Sequence, residues 1–215
     1  MNSRLSLLIL CIALLPGLPA YAAFTSVGSA TLSLKTRIVR PTCNLTYGGA
    51  PLNGQMVTLP ATVPQGTHAA YDGPPVPLNI IVACATVDTG QDVLVTFRDA
   101  MPGNHPSSSL LATQHADGTM GPPVALIRTD NGQSLAVGAG TTWTLLRRGQ
   151  ACAEASCLPV TTTVQEGLAH FTLPLRAQVL FRYNYGDFHA TDADYRVMFT
   201  AGPFSGYLTV ALSYQ

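Results

Sequence analysis

The hydrophobic period is the feature that most restricts how this chain can fold. Apolar and polar residues alternate in several short runs, and no segment keeps a helical period for about twelve residues. The prolines and glycines are spread along the chain without a repeat, which favours short strands joined by turns. These patterns predict an all-β sandwich or barrel, and the length of 215 residues fits one domain.

The two most regular alternating runs lie towards the two ends of the chain. In residues 24–34 one face carries Phe24, Ser26, Gly28, Ala30, Leu32 and Leu34. In residues 204–215 one face carries Phe204, Gly206, Leu208, Val210, Leu212 and Tyr214. A long last strand has no following strand to pair with, so an earlier strand or another chain must cover its edge. Two such strands suit a chain that links to copies of itself.

Other short apolar runs predict the remaining strands. They span residues 36–39, 55–59, 78–84, 92–97, 124–128, 133–137, 169–176, 179–183 and 195–199. The runs at 124–128 and 133–137 flank Asn131-Gly132, which is a strong hairpin signal. Residues 99–123 and 147–159 are predicted to be long loops.

The charge content excludes several classes of function. Only 10% of the residues are charged, against about 25% in an ordinary soluble domain. Lysine and arginine together number 11, as do aspartate and glutamate, and Lys35 is the only lysine. We therefore expect no nucleic-acid partner. The low charge instead predicts apolar surface that other chains cover.

Residues 1–22 are predicted to be a secretory signal peptide. Arg4 precedes an apolar run at 5–15, and the small residues Ala20-Tyr21-Ala22 predict cleavage after Ala22. The alternative is a membrane anchor, but Pro16 and Pro19 interrupt the run before it reaches the roughly 20 residues that a span needs.

Four cysteines follow the predicted signal peptide, an even number that suits an oxidising compartment. They allow three pairings, and their spacing favours Cys43 with Cys84 and Cys152 with Cys157. The first bridge would close a long loop, whereas the second would only fix the shape of a small ring. A zinc site is the weaker alternative because no histidine lies near either pair.

The remaining polar motifs favour structural interpretations, and we expect no catalytic, metal or cofactor site. Gly132–Ala136 approaches a nucleophile elbow, but it leaves a hairpin and enters a predicted strand instead of a helix. The five histidines are scattered, and Asp187, Asp192 and Asp194 lack the order of a calcium loop. Arg147-Arg148 beside the cysteine ring suggests either a binding surface or a loop that resists proteases.

Several segments together resemble a chaperone-usher fimbrial subunit of the type 1 pilin kind. With cleavage after Ala22, Cys43 is the 21st residue, as in the first core strand of that family. Residues 78–84, 124–138 and 173–183 resemble later strands of the family. Its closing signature, a penultimate Tyr and a Gly fourteenth from the end, matches Tyr214 and Gly202.

The resemblance implies an immunoglobulin-like sandwich that lacks one strand and is completed by a donor strand from another chain. Residues 23–34 would be the donor extension and 35–215 the pilin domain. The inward donor residues would be Phe24, Gly28, Ala30, Leu32 and Leu34. The C-terminal strand, which the periplasmic chaperone would contact, would present Gly202, Phe204, Leu208, Val210, Leu212 and Tyr214.

The implied partners are the periplasmic pilus chaperone, the outer-membrane usher, other pilus subunits and a host receptor. The implied location is a fimbrium on the cell surface, reached through the periplasm. Donor-strand pairing is a form of β-augmentation.

Two departures from the family keep alternatives open. The family places a glycine where this chain has Ala30, and here the glycine is Gly28, so either residue could take the small position. The long loops at 99–123 and 147–159 also fit a minor adaptor or tip subunit with its own receptor-binding loop. A self-contained secreted β-sandwich module that binds a ligand is the third interpretation.

Overall fold

A computed structural model describes most of the chain after the predicted signal peptide. The described residues are 24–38, 43–64, 70–84, 92–101, 109–138, 140–147, 150–151, 157–165, 168–182, 184–185 and 188–215. Only the backbone is described for residues 24–30, 37–38, 62–64, 146–147, 150–151, 185 and 188. The predicted signal peptide, Cys152 and Arg148 lie outside the described residues.

The described residues form nineteen strands and one short helix. The first ten strands are β1 (Phe24–Ile38), β2 (Cys43–Tyr47), β3 (Ala50–Pro51), β4 (Met56–Pro64), β5 (Tyr71–Asp72), β6 (Val76–Leu78), β7 (Ile80–Cys84), β8 (Val93–Asp99), β9 (Leu110–Leu111) and β10 (Thr113–His115). The others are β11 (Val124–Arg128), β12 (Thr141–Arg147), β13 (Gln150–Ala151), β14 (Thr161–Gln165), β15 (Leu168–Thr172), β16 (Leu175–Phe181), β17 (Asn184–Tyr185), β18 (Phe188–His189) and β19 (Phe204–Tyr214). Helix α1 (Asp192–Met198) lies between β18 and β19.

Three main sheets contribute to the main hydrophobic core of the described residues. The largest has the order β13-β12-β8-β19-β1-β4, with β10 also beside β19. The second has the order β14-β15-β7-β2-β3, and the third has the order β5-β16-β11-β9, with β6 also beside β16. Buried residues from all three sheets belong to one cluster, for example Leu34, Val82 and Val179. The predicted all-β sandwich is confirmed.

The alternating pattern of the sequence becomes alternating burial. Along β16 every second side chain is buried, from Leu175 to Phe181. The same holds along β19 from Phe204 to Leu212. Each of these strands therefore has one face in the core, as the period of two predicts.

The predicted disulfide between Cys43 and Cys84 is confirmed. The two cysteines are directly opposite in the antiparallel pair of β2 and β7, and both are buried. With a sequence separation of 41, the bond should stabilise the fold by about 4 kcal/mol through the restricted unfolded chain. Cys157 is also disulfide-bonded and buried. Because Cys152 lies outside the described residues, its pairing with Cys157 stays a prediction.

The strand predicted at 195–199 is wrong, because residues 195–198 belong to helix α1 and Phe199 is its C-terminal cap. Thr191 caps the helix: its side chain accepts a hydrogen bond from the Asp194 amide, and the Asp194 carboxylate accepts one from the Thr191 amide. This capping box starts a helix in which Tyr195, Met198 and the following Phe199 are buried. The buried residues Tyr195, Met198 and Phe199 are three and four positions apart, which is the spacing of one helix face. The segment resembled a strand because several of its residues also have high strand propensity.

Proline and turn residues change other predicted boundaries. The run 169–176 is divided into β15 and β16 at Leu173-Pro174, since proline has no amide to donate to a ladder. The run 133–137 forms only an isolated bridge from Ser134 to Ile127. The predicted loop 99–123 contains the short strands β9 and β10, and 147–159 contains β13. At the N-terminal end, the strand predicted at 24–34 and the described part of the one predicted at 36–39 form the single strand β1, and Val39 lies outside the described residues.

Candidate functional site

The candidate site is the place that β1 occupies in the largest sheet. β1 lies between β4 and β19, parallel to β19 and antiparallel to β4. We call the space between these two strands the β1 groove. Its lining comprises Val57, Leu59 and Ala61 of β4 and Gly206, Leu208 and Val210 of β19. All six lining residues are buried.

Two leucines of β1 are fully buried in the groove. Leu32 is 1% exposed and lies opposite Val57 and Gly206 in the two ladders. Leu34 is 0% exposed and lies opposite Leu208. Beyond the end of the β4 ladder, the Leu34 amide donates to the Gln55 carbonyl at 2.9 Å, and the Gly54 amide donates to the Leu34 carbonyl at 2.9 Å. Both backbone hydrogen bonds of this leucine are therefore made on the β4 side of the groove.

The earlier donor residues are described by backbone position only. Gly28 lies opposite Ala61, and Ala30 lies opposite both Leu59 and Phe204. A bulge separates Ser26 from Gly28 in the ladder with β4, and Phe24 lies beyond it, opposite Pro64. The side chains of Phe24 and Ala30 lie outside the described part, so which of Gly28 and Ala30 fills the small position stays a prediction.

The predicted C-terminal residues line one long strand beside β1. Phe204, Leu208, Val210 and Leu212 are buried, and Tyr214 is half-buried at the end of β19. Gly202 precedes the strand with a φ of 141°, a conformation that L side chains rarely adopt. The structure thus places Leu32 and Leu34 of the predicted donor beside the predicted C-terminal strand, opposite Gly206 and Leu208.

Gly206 is a groove residue that the sequence did not single out. A Cβ atom at this position would lie 2.9 Å from the Ala112 carbonyl oxygen and 3.1 Å from Cγ2 of Thr113. The close approach arises because β10 pairs with the first residues of β19 on the side opposite β1. The only signal in the sequence was a glycine in phase with Phe204 and Leu208.

One end of the groove is held by a buried histidine. The His115 ring lies edge-on to the Phe204 ring with centroids 5.8 Å apart. Its Nε2 atom is 3.0 Å from the Met198 carbonyl oxygen, at the end of α1. His115 therefore connects β10, helix α1 and the start of β19, which is a structural role.

The outer face of β1 carries a second contact that the sequence did not predict. The Lys35 ammonium lies 5.1 Å from the centroid of the Tyr207 ring. Lys35 is exposed, so a cation–π contact of this kind contributes about 0.5–1 kcal/mol. The only lysine of the chain thus contacts the neighbouring strand from the side opposite Leu32 and Leu34.

A second cluster lies at the hairpin after β11. Arg128 donates to both carboxylate oxygens of Asp130, at 2.9 Å and 2.6 Å, and its guanidinium lies 4.9 Å from the centroid of the Trp143 ring. The hydrogen bond from Arg128 lowers the pKa of Asp130. The predicted hairpin turn closes here, with the Gly132 amide donating to the Arg128 carbonyl. These contacts satisfy a buried arginine and fix the turn.

The other polar motifs acquire structural partners in the described residues. Asp192 and Asp194 form the first turn of α1, and hydrogen bonds from the amide and hydroxyl of Thr191 lower the pKa of Asp194. Ser134 is followed by a turn and then β12, not by a helix. Within the described ranges, no group of three or more His, Cys, Asp or Glu side chains could hold a metal ion. None of the helical segments that the structure describes is long and apolar enough to cross a membrane.

In comparisons with known proteins, no family model and no curated protein matches this chain.

Proposed function

We propose that this chain is a structural subunit of a chaperone-usher fimbria, which polymerises by donor-strand exchange and supports cell adhesion. The observation that carries the proposal is the position of β1, between β4 and β19 with Leu32 and Leu34 buried. The N-terminal segment fills a place within a sheet whose other members come from later parts of the chain. The same segment of another copy could fill that place with the same contacts.

The energetics of the groove explain why a strand must always be supplied. Burying a leucine side chain contributes about 1.5–3 kcal/mol, so an empty groove would expose apolar surface at Leu32, Leu34 and their neighbours to water. When β1 of a neighbouring copy replaces the chain's own β1, identical contacts are lost and formed. The exchange therefore changes the interaction free energy little, and concentration decides which strand occupies the groove.

The proposed partners are those that the resemblance to the family implies, and they would meet this requirement. During export, the periplasmic chaperone would supply the strand, and at the outer-membrane usher the β1 of the next subunit would replace it. Backbone hydrogen bonds would give affinity, and the buried leucines would fix the register, since a slip of one residue would point them to solvent.

A self-contained secreted sandwich is the second candidate function. The observation that favours it is that β1 occupies its place in the largest sheet of its own chain, between β4 and β19. In that case β1 would stay in its own groove, and the module would act as a monomer. The two candidates differ in one measurable property, which is whether β1 exchanges between copies.

Native mass spectrometry of the chain without its predicted signal peptide tests this difference. After partial unfolding in urea and refolding at high concentration, we expect a series of oligomers whose masses are integer multiples of the monomer mass. An excess of a peptide that copies residues 24–38 should occupy the β1 groove and limit assembly to short oligomers. A control peptide with Leu32→Asp and Leu34→Asp should leave the distribution of oligomers unchanged. A chain that refolds only to monomers, with no peptide bound, would exclude the proposal and favour the self-contained module.

A further inference from the structure

Charge is distributed unevenly in the largest sheet. The formal net charge of the whole chain is zero, yet the strands of this sheet contain four basic residues, Lys35, Arg37, Arg98 and Arg147. They contain one acidic residue, Asp99, which is buried in phase with Phe97 on the core side of β8. The Asp99 carboxylate accepts hydrogen bonds from the Met101 and Ala112 amides at 2.8 Å and 2.6 Å. It therefore does not offset basic charge on the outer face, which is the side opposite the core.

Lys35 and Arg98 lie on this outer face, on either side of one residue of β19. Thr209 is opposite Lys35 of β1 in one ladder and opposite Arg98 of β8 in the other. Both basic side chains are exposed. Adjacent strands are about 4.8 Å apart, so the two residues are separated by two spacings, or about 10 Å. We call Lys35, Arg98 and the residues between them, Tyr207 and Thr209, the basic face.

The two cations of the basic face have no carboxylate partner. Arg128 and Arg182 each bind an aspartate. Within the described ranges, by contrast, no ion pair joins Lys35 or Arg98 to a carboxylate. Lys35 instead lies over the Tyr207 ring, a contact that leaves its charge in place. Both charges are thus available to an anion outside the chain.

We infer that the basic face binds a linear acidic polysaccharide that carries a negative charge on alternate sugars. Such a polymer presents its charges at intervals similar to the separation of Lys35 and Arg98. Ser33, Tyr207 and Thr209 face outward beside the two cations, and none of the three is fully buried. Their hydroxyl groups can both donate and accept hydrogen bonds, as the hydroxyl groups of sugars do.

Two other anionic partners fit this face less well. Each strand of a nucleic acid carries a phosphate about every 3.4 Å, so most phosphates between Lys35 and Arg98 would have no cation. Binding to an anionic membrane surface combines basic residues with aromatic or apolar side chains that enter the lipid. Among the described strands of this sheet, the only exposed large hydrophobic side chain is Met56, which lies in the edge strand β4. A sparsely charged sugar polymer is therefore the favoured occupant.

The basic face requires β1 in its groove, because Lys35 belongs to β1. It does not require exchange of β1 between copies, so the inference does not rest on the proposed function. Since only two exposed cations take part, a single face binds weakly. Several copies bound to one polysaccharide would bind more tightly.

An NMR titration at low ionic strength tests the inference, with the chain without its predicted signal peptide and a hyaluronan decasaccharide as the probe. We expect shifts of the Lys35, Arg98 and Thr209 amides and a dissociation constant of about 1 mM. Lys35→Gln and Arg98→Gln should each weaken binding about two- to fivefold, and the double variant about tenfold. The matched control is Arg196→Gln, which removes one exposed positive charge from helix α1, outside this sheet. It should leave binding nearly unchanged.

Further probes identify the chemistry of the partner. Added salt should weaken the binding of hyaluronan, and neutral maltodecaose should not bind. Oligothymidylate and vesicles of phosphatidylcholine with phosphatidylserine represent the other two anionic partners, and both should bind more weakly than hyaluronan. Thermal unfolding shows that each variant remains folded. The inference is overturned if hyaluronan does not bind, if the double variant binds it as the wild type does, if Arg196→Gln causes an equal loss, or if another probe binds more tightly.

Discussion

β1 and β14 offer the same backbone groups for strand pairing but lie in opposite surroundings. β1 has a strand on each side, and Leu32 and Leu34 are buried below it. β14 has one described neighbour, β15, and all its side chains are exposed. Since the hydrogen-bonding capacity is similar, side-chain burial sets both the strength and the register of pairing. The comparison predicts a tightly held, register-specific strand at β1 and a weakly pairing edge at β14.

The largest expected effect compares a leucine of β1 with a valine of β14. Leu34→Ala should lower the free energy of unfolding by about 2–5 kcal/mol, because it leaves a cavity in the core. Val164→Ala should change it by less than about 0.5 kcal/mol, since Val164 is exposed. Urea unfolding followed by circular dichroism measures both values. Equal effects of the two substitutions would contradict the assigned difference in burial.

The next effect concerns the β19 wall of the β1 groove. Gly206→Ala should cost about 1–3 kcal/mol, because the new methyl group would press on the Ala112 carbonyl and force the backbone to move. Ser205→Ala, at the next residue of the strand, is the matched control and should be nearly neutral. The same urea titration applies, and a neutral Gly206→Ala would show that β10 does not approach β19 so closely.

A smaller effect is expected at the helix that precedes β19. Thr191→Ala removes the hydroxyl that contacts Asp194 and should cost about 1 kcal/mol at neutral pH. The pKa of Asp194 is lowered in the folded chain, so its contribution to stability is present above the ordinary aspartate pKa. That contribution is lost as the pH falls through the lower folded pKa. The difference between wild type and variant should therefore shrink in acid.

Thr200→Ala provides the control for this pH dependence. The Thr200 hydroxyl donates to the Arg196 carbonyl at the other end of the helix, and no carboxylate takes part. Its cost should stay constant with pH. If the Thr191→Ala difference is equally constant from neutral to acid pH, the hydrogen bond to the Asp194 carboxylate does not contribute.

The smallest effect tests the outer face of β1. Lys35→Ala should lower the free energy of unfolding by about 0.5–1 kcal/mol through loss of the contact with Tyr207. Lys35→Arg should retain most of it, because a guanidinium also binds an aromatic face. Thermal unfolding at low and high salt measures the change. A loss that Lys35→Arg does not restore would show that the contact does not depend on charge.

The fold was predictable where the signal is local. The alternation in β19, the Asn131-Gly132 turn and the spacing of Cys43 and Cys84 each carry their information within a short segment or a simple pattern. The strand prediction at 195–199 was wrong because Tyr, Val, Met and Phe occur in strands as well as in helices. The deciding signal, Thr191 with Asp194 three residues later, lies before the apolar run.

The candidate site was predictable only in part. The buried positions Leu32 and Leu34 follow from the alternating pattern. Their neighbours do not, because the pairing of β1 with β4 and β19 joins residues that are distant in the sequence. Gly206 owes its role to the approach of β10, and Lys35 owes its contact to the register of β1 with β19, which places Tyr207 opposite Ser33, two residues before Lys35. Both depend on tertiary geometry that no local pattern contains.

Native-state amide hydrogen exchange tests most directly whether β1 is a replaceable strand. The amides of Leu34 and Leu173 are well matched probes, since both leucines are buried and both amides donate to a backbone carbonyl at 2.9 Å. We predict that the Leu34 amide exchanges through a partial opening that costs less free energy than the global unfolding reported by Leu173. Equal opening free energies and equal denaturant dependence at the two amides would contradict the account, because β1 could then leave its groove only when the whole molecule unfolds.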